Sequence, residues 1–294
     1  MTDTSKYHLP KGTSSDGPYD LLVTPESAGW GYSGLRILTL RPGGTHTLTT
    51  GDSEFLVLPL RGGCTVTVGG QSFELDGRTG VFASVTDFAY VPRGSVAVLG
   101  SAAGGTFALP SARTGQGGLR ARYGPKDTVP VELRGAGNCS RQVNNYCLPG
   151  TFDAEQLLVC EVLTPGGNWS SYPPHKHDEA RPGAESELEE IYYFEVGGGE
   201  RAFGYQRVYG TADRPIDVLA EVRSGDTVLI PHGWHGPSIA APGYDLYYLN
   251  VMAGPGQDRA WLICDDPAHG WVRETWESQT VDPRLPFAGE EAPR

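Results

Sequence analysis

Four residues in the second half of the chain are of the types that bind a divalent metal ion: His175, His177, Glu190 and His235. His175 and His177 are two positions apart, so on an extended strand both side chains point to the same face. Neutral imidazoles and carboxylates are common ligands of transition metals. Three histidines and one glutamate leave coordination positions open, so this set predicts a chemical site that can accept a substrate.

The choice of Glu190 as the fourth ligand depends on the alternation of side chains along a strand. The segment from Leu188 to Val196 has strand character, and its alternation places Glu189 and Glu190 on opposite faces. Periodicity alone does not choose between them. We choose Glu190 because an internal repeat aligns it with Glu54, and because a buried carboxylate is costly unless it is paired or bound to a cation.

The internal repeat predicts two copies of one β unit, at roughly positions 30–110 and 155–262. Each copy contains, in order, a strand ending in Pro-Gly-Gly, a strand that begins with Glu, and a strand that turns at Pro-x-Gly. The first copy has Val96 where the second has His235, and no His-x-His pair precedes Glu54. We interpret the first copy as scaffold and its His46 as a polar turn residue.

The elements that must position these residues are therefore predicted to be strands. The 41 glycines and 23 prolines supply many turns, and no long period of 3.6 residues appears. We predict an all-β fold with two antiparallel β-barrels of the jelly-roll type in one chain. The predicted divisions are an N-terminal arm (1–28), a barrel lacking metal ligands (29–135), a metal-binding barrel (136–275) and an irregular tail (276–294).

The composition excludes several classes of partner. The 23 basic and 35 acidic residues give a net charge of −12, which argues against nucleic acid and anionic membrane surfaces. No signal segment opens the printed sequence, and no apolar run approaches the length of a membrane span. The five cysteines have no CxxC spacing, so we expect reduced thiols, with Cys64 and Cys160 in the core, and a cytoplasmic location.

Candidate substrate-binding residues lie on neighbouring strands. An arginine within an apolar strand needs a partner, so Arg207, beside Gln206, either binds a carboxylate of the substrate or forms an internal salt bridge. Arg141 is a second candidate for the same task. Tyr248 either presents its hydroxyl to a cavity or packs in the core.

The acidic segment 178–189 between the histidine pair and Glu190 is predicted to be a surface loop. Next to a metal site it could close as a lid, and a plain solvated loop is an equal alternative. Lys176 is expected to point away from the two histidines into solvent. His232 is expected at the rim of the site.

Together, Pro-Gly-Gly, His-x-His, the Glu-led strand and Pro231-x-Gly233 followed by His235 resemble the two motifs of the cupin superfamily. The duplication makes this a bicupin. More specifically, the segments 173–178, 188–193, 206–209 and 242–255 resemble the 5-deoxy-glucuronate isomerase family of bacterial myo-inositol catabolism.

This resemblance implies an aldose–ketose isomerase that converts 5-deoxy-D-glucuronate, a small sugar acid, to 2-deoxy-5-keto-D-gluconate. It implies His175, His177, Glu190 and His235 as ligands of one divalent ion, which in cupins is zinc, manganese, iron or nickel. It also leads us to expect a homo-oligomer.

Isomerising an α-hydroxy aldehyde requires removing a C–H proton and returning one to the neighbouring carbon. A divalent ion chelated by the carbonyl and hydroxyl oxygens would stabilise the enediolate. Candidates for the base are Glu187, Glu189, Glu190 and Tyr247, which the sequence does not rank. The alternative functions are a metal-dependent dioxygenase and a non-catalytic sugar-binding bicupin.

Overall fold

The structure is a computed structural model, and it describes residues 6–287. Nearly all of its regular structure is antiparallel β-strand, which confirms the all-β prediction. The strands up to residue 124 are β1 (His8–Leu9), β2 (Tyr19–Val23), β3 (Ser33–Leu40), β4 (Gly44–Thr49), β5 (Ser53–Val68), β6 (Gln71–Arg78), β7 (Phe88–Val91), β8 (Val96–Ser101), β9 (Gly105–Arg113) and β10 (Arg122–Gly124).

The later strands carry the histidine cluster. They are β11 (Val131–Arg134), β12 (Arg141–Cys147), β13 (Leu158–Thr164), β14 (Trp169–Ser170), β15 (His175–Lys176), β16 (Asp178–Arg181), β17 (Glu185–Glu187), β18 (Glu189–Val196), β19 (Gly204–Tyr209), β20 (Asp217–Val222), β21 (Thr227–Ile230), β22 (Trp234–Ala240), β23 (Leu246–Ala253) and β24 (Cys264–Asp265). The helical segments are short: α1 (Pro25–Ala28) and 3-10 turns at Lys126–Thr128, Gly137–Cys139 and Gly270–Ser278.

Each half of the chain forms two facing sheets. In the first half, one sheet has the order β10-β7-β5-β9-β3-β2, and the 16-residue strand β5 continues into a second sheet with β6, β8 and β4. The second barrel has the orders β1-β21-β18-β23-β13-β12-β11 and β20-β19-β22-β15-β24, with β14 also on β22, and its strand β1 comes from the N-terminal segment. Facing sheets of this kind are jelly-roll barrels.

Three hydrophobic cores hold the molecule together: one inside each barrel and one between them. The alternation on β18 divides its side chains as the sequence predicts. Tyr192 and Phe194 face the interior of the second barrel, whereas Ile191 and Tyr193 face the core between the barrels. Strand β18 is therefore covered on both faces.

The strand pairing differs from the predicted divisions in two places. Residues 6–28 are not a separate arm, because His8 pairs with Val228 of the second barrel and Tyr19–Val23 pairs with β3 of the first. Positions 1–5 of the predicted arm lie outside the described residues. Strand β11 pairs with β12 of the second barrel, so the sheets change between residues 124 and 131. The predicted tail is irregular over 279–287, and its positions 288–294 lie outside the described residues.

All five cysteines are free, and Cys64 and Cys160 are buried as expected. None of the helices between residues 6 and 287 has the length and apolar character that crossing a membrane requires.

Candidate metal centre

Three strands of the second barrel bring the predicted ligands together. His175 begins the short strand β15 and pairs in register with His235 on β22, while Glu190 lies on β18. His177 follows two positions after His175 and faces the same interior. All four side chains are buried, with Glu190 at 0 % and His235 at 1 % exposure.

The distances between these side chains fit a single ion. One ring nitrogen from each of His175, His177 and His235 lies within 4.8 Å of the others. Oε2 of Glu190 is 3.2 Å from Nε2 of His177 and 3.1 Å from Nε2 of His235. Ligand atoms that each bond to zinc at about 2.1 Å are roughly 3–3.5 Å apart, and the two Glu190 contacts match this spacing. The three histidine nitrogens form a somewhat wider cluster that could hold a metal ion.

Hydrogen bonds orient two of these groups. Nδ1 of His235 donates to the carbonyl oxygen of Gly233 at 3.1 Å, which leaves the lone pair on Nε2 facing the cluster. That buried Nε2 accepts no hydrogen bond from any residue in 6–287. Asn250 donates from Nδ2 to Oε1 of Glu190 at 2.9 Å. An unsatisfied buried nitrogen beside an oriented carboxylate is what a metal ion would complete.

The charges of the cluster also suit a cation. Burial alone would raise the pKa of Glu190, but His235 and the hydrogen bond from His177 outweigh it and lower this pKa to about 2. Burial, together with His235 and His177, holds the pKa of His175 well below its usual range. At neutral pH the cluster therefore offers the ionised carboxylate of Glu190 and the neutral imidazole of His175. Burial alone would lower the pKa of His177, but the hydrogen bond to Glu190 outweighs it and raises this pKa.

A cavity of ≈ 320 Å³ opens beside His175. Three of its seven wall residues are arginines. The walls are formed by Arg134, Arg141, His175, Trp261, Ile263, Asp265 and Arg273. Strand β24 contributes because Asp265 pairs in register with His175. Of the four candidate ligands, His175 lines this cavity, so the cavity borders the candidate metal centre.

A network of hydroxyl groups fills part of the barrel interior. Tyr248 donates to Oγ of Ser170 at 2.9 Å and lies 3.2 Å from Oγ of Ser171, which is itself 3.0 Å from the hydroxyl of Tyr192. The rings of Tyr192 and Tyr248 stack at 4.8 Å. Tyr248 is thus packed and hydrogen-bonded inside the barrel that holds the cluster.

Glu189 is not at this centre. It faces the first barrel, where its carboxylate accepts hydrogen bonds from the backbone N–H groups of Gly31, Tyr32 and Ser33 at 2.6, 2.8 and 3.0 Å. A role for Glu189 as the catalytic base is therefore wrong. The reason is the strand alternation itself, which turns Glu189 and Glu190 to opposite faces.

Two other candidates for the base are also displaced. Tyr247 is fully buried in the core between the barrels, and its ring lies 5.8 Å from the guanidinium of Arg78 in the first barrel. The side chain of Glu187 is exposed on β17, where the residue pairs with Asp178. Only Glu190, of the four candidates for the base, lies in the cluster.

Arg207 forms an internal salt bridge, which corrects the interpretation as a substrate-binding residue. Its Nη1 contacts Oδ1 of Asp217 and donates to the carbonyl oxygen of Val218 at 2.9 Å, on the outer face of β19. Gln206 points inward and is fully buried, but its Oε1 accepts from the hydroxyl of Ser238. Neither residue lines the cavity beside His175.

Arg141, in contrast, lines this cavity. Two further arginines of the wall, Arg134 and Arg273, were not singled out in the sequence. Arg273 comes from a 3-10 turn almost a hundred positions after His175, so no local motif links the two residues. These three arginines come together only through the folding of strands β11 and β12 and the C-terminal segment around one cavity.

The acidic segment 178–189 forms a β-hairpin of β16 and β17 instead of an irregular loop. Lys176 is buried beneath it, which corrects the expectation that it is solvated: its Nζ lies 2.6 Å from Asp178 and 2.8 Å from Glu185. Glu185 also accepts the backbone N–H of Asp178 at 2.9 Å. These contacts fasten both strands of the hairpin to β15. His232 is half-buried, and its position at the rim of the site stays a prediction.

The first barrel holds no comparable cluster among residues 6–287. Its interior is apolar, and Phe55 there is 1 % exposed. Phe55 occupies the position that Glu190 has in the second barrel, because each follows a glutamate that reaches across to the other barrel. The interpretation of the first copy as scaffold agrees with this packing.

Two jelly-roll barrels in one chain, with a buried histidine triad in the second, define a bicupin. The chain belongs to the KduI/IolB family, whose sequence profile it matches over residues 8–272.

The chain is also similar to individual members. It is 43 % identical over 273 residues to the 5-deoxy-glucuronate isomerase of Geobacillus kaustophilus, covering 92 % of this chain and 96 % of the relative. It is 44 % identical over 255 residues to the enzyme of the same name from Geobacillus thermodenitrificans, covering 86 % and 90 %.

Among solved structures, an IolB-like protein from Salmonella typhimurium LT2 matches with a TM-score of 0.83 and 33 % identity, covering 90 % of this chain and 98 % of that one. The oxalate decarboxylase of Lactobacillus farciminis matches with a TM-score of 0.57 and 12 % identity, covering 83 % and 82 %. The latter similarity concerns the fold alone.

Proposed function

We propose that this protein is a metal-dependent aldose–ketose isomerase that converts 5-deoxy-D-glucuronate to 2-deoxy-5-keto-D-gluconate in myo-inositol catabolism. The observation that carries the proposal is that ring nitrogens of His175, His177 and His235 lie within 4.8 Å of one another inside the second barrel, with Oε2 of Glu190 at 3.2 Å from His177 and 3.1 Å from His235. Membership of the KduI/IolB family and the two relatives above, which match along most of their lengths, support the substrate and the reaction.

In this proposal the three imidazoles and the carboxylate of Glu190 would hold one divalent ion, of zinc, manganese, iron or nickel. Such an ion, when bound, would supply Lewis-acid polarisation of a carbonyl and the adjacent hydroxyl. Asn250 keeps the carboxylate of Glu190 in place through its 2.9 Å hydrogen bond. Gly233 fixes the tautomer of His235 through its carbonyl oxygen.

Glu190 acts in this scheme as a ligand and not as the base. A general base works best when its pKa lies near the operating pH. His235 and His177 lower the pKa of Glu190 against the effect of burial, which suits a carboxylate that stays ionised as a ligand.

The test is an anaerobic NMR assay with 5-deoxy-D-glucuronate, run beside elemental analysis of the purified protein. We expect about one divalent ion per chain and conversion to the ketose without oxygen. A reaction that requires O₂ would identify a dioxygenase, and binding without turnover would identify a sugar-binding protein.

The variant His177→Ala should lose the metal and the activity together, because it removes a buried ligand. The matched control is His46→Ala in the first barrel, where the imidazole contacts the hydroxyl of Tyr19 at 2.8 Å. This control should keep both the metal and the activity. Full turnover by metal-free His177→Ala would contradict the proposal.

A further inference from the structure

Arg141 is a buried cation without an anionic partner. Its side chain lies at the start of β12 with 5 % of the residue exposed. Nη1 donates to the carbonyl oxygens of Cys139 at 3.1 Å and Tyr172 at 3.5 Å, and the guanidinium lies 5.6 Å from the ring of Trp276. No carboxylate of residues 6–287 forms an ion pair with it.

Such a charge is expensive to bury unless something compensates it. Carbonyl oxygens accept hydrogen bonds but carry no full negative charge. Burial lowers the pKa of Arg141 to about 10, so the guanidinium remains protonated at neutral pH. The backbone makes room for this group at Gly135, where a Cβ atom would lie 2.7 Å from Nη1 of Arg141.

The two other arginines of the cavity are already neutralised. Arg134 donates to both carboxylate oxygens of Glu132, at 2.9 and 2.7 Å. Arg273 binds Asp265 in the same two-pronged manner, with one of the two contacts at 2.7 Å. Each acid is held by its own arginine. Among the three arginines of the cavity, Arg141 is therefore the one without a direct carboxylate contact in residues 6–287.

One positive charge in a cavity next to the candidate metal centre matches a substrate with one carboxylate. We propose that Arg141 binds the carboxylate of the sugar acid and thereby presents the aldehyde end to the cluster at His175. This inference rests on the proposed function for the identity of the acid. A planar guanidinium donates two parallel hydrogen bonds to a carboxylate, which fixes the orientation of the bound molecule as well as its affinity.

The inference makes Arg141 a specificity-determining residue. An aldose of similar size without the carboxylate leaves the buried charge unpaired and is rejected. A chain with a net charge of −12 generally repels anions. The positive charge of Arg141 provides a local attraction for the carboxylate of the substrate.

The experiment compares a six-carbon acid that has no aldehyde to isomerise, D-gluconate, with its neutral amide, D-gluconamide. Binding of each is measured by calorimetry to the purified, metal-containing protein and to Arg141→Met and Arg141→Lys. Arg207→Met is the matched control, because Arg207 is paired with Asp217 away from the cavity. Metal content and thermal unfolding are recorded for every variant.

We expect the unaltered protein and Arg207→Met to bind the acid about 10- to 100-fold more tightly than the amide. Arg141→Met should bind both compounds equally weakly while it keeps its metal and its unfolding temperature. Arg141→Lys should keep part of the preference for the acid, because lysine carries the positive charge but cannot donate two parallel hydrogen bonds to a carboxylate. In the isomerase assay, Arg141→Met should raise KM for 5-deoxy-D-glucuronate by a similar factor.

An unchanged preference for the acid in Arg141→Met, with the metal retained, would overturn the inference. So would an equal loss of preference in Arg207→Met. If the protein does not isomerise 5-deoxy-D-glucuronate but the gluconate preference depends on Arg141, the proposed function fails and the anion site stands.

Discussion

Glu54 and Glu189 make the same contact in opposite directions between the two barrels. The carboxylate of Glu54 accepts hydrogen bonds from three consecutive backbone N–H groups, those of residues 155–157, at 2.6–2.8 Å. The carboxylate of Glu189 accepts from those of residues 31–33 at 2.6–3.0 Å. The two segments precede equivalent strands, so the contacts are related by the internal repeat.

This relationship corrects the alignment from which Glu190 was chosen. Glu54 corresponds to Glu189, because both lie on the face of the strand that is turned towards the other barrel. Glu190 corresponds instead to Phe55. The choice of Glu190 agrees with the geometry of the cluster, but the repeat was not a valid reason for it.

The first prediction concerns the stability that these two glutamates confer. Glu54→Gln and Glu189→Gln keep the shape of the side chain but remove the charge that three N–H donors share. We expect each to lower the free energy of unfolding by about 1–3 kcal/mol, measured by chemical denaturation. Glu74→Gln, an exposed residue bonded to Thr65, should change it by less than about 0.5 kcal/mol. Equal effects in all three variants would show that the contacts do not stabilise the fold.

The second prediction concerns Asn250, which orients Glu190. Asn250→Ala removes the 2.9 Å hydrogen bond to Oε1 and leaves the four candidate ligands in place. Loss of a partner that orients a ligand typically weakens metal binding about 10- to 100-fold. Titration against a chelating dye measures this affinity. Unaltered affinity in a variant with normal circular dichroism would mean that Glu190 is held without Asn250.

The third prediction concerns the buried ion pair between the barrels. Arg78 on β6 donates from Nη1 and Nη2 to the carboxylate of Glu161 on β13, at 2.9 and 2.8 Å, and both side chains are fully buried. Arg78→Met leaves the charge of Glu161 without a cation, so we expect a loss of about 3–5 kcal/mol in the free energy of unfolding.

The double variant Arg78→Met/Glu161→Gln should recover part of that loss, because no isolated charge remains. Denaturation of the single and double variants under the same conditions makes the comparison. If the double variant lost more free energy of unfolding than the two single variants lose together, an isolated charge would not be the cause.

The fourth prediction concerns pH and the N-terminal segment. Burial alone would raise the pKa of Asp226, but hydrogen bonds from His8 and from the backbone N–H groups of Lys11 and Arg223 outweigh it and lower this pKa. A lowered pKa means that the carboxylate stabilises the fold above its ordinary pKa of about 3.9. That stabilisation is lost as the pH falls through the lower value of the folded protein.

Asp226→Asn should therefore be less stable than the unaltered protein at pH 6, and the difference should shrink as the pH falls below about 4. Hydrogen exchange of residues 7–11 at pH 6 should be faster in this variant, because Lys11 loses a charged acceptor. A stability difference that grows on acidification would mean that the sign of the linkage is wrong.

Much of the site follows from local patterns in the sequence. The spacing of His175 and His177 and the alternation around Glu190 depend only on the period of two residues in a strand. Both patterns agree with the structure because the strands are buried on both faces and hold their register.

The remaining residues could not be found in this way, because their roles depend on contacts between distant segments. Arg207 and Arg141 are both arginines in strands, and the sequence favoured Arg207. The difference is that Asp217, diagonally opposite on the neighbouring strand β20, neutralises Arg207. Arg141 instead faces a cavity whose acidic wall residue, Asp265, is already paired with Arg273. The burial of Lys176 could not be predicted for the same reason. Its partner Glu185 reaches it only when the hairpin has formed.

The apolar core between the barrels has a mechanical consequence for catalysis. Strand β18, which carries Glu190, and strand β23, which carries Asn250, each have their outer face pressed against the first barrel. The carboxylate of Glu190 therefore has little freedom to change position when a substrate binds or a product is released. The first barrel thus restrains the two strands that carry Glu190 and Asn250, and its removal should increase the mobility of both strands even though the candidate ligands remain in the chain.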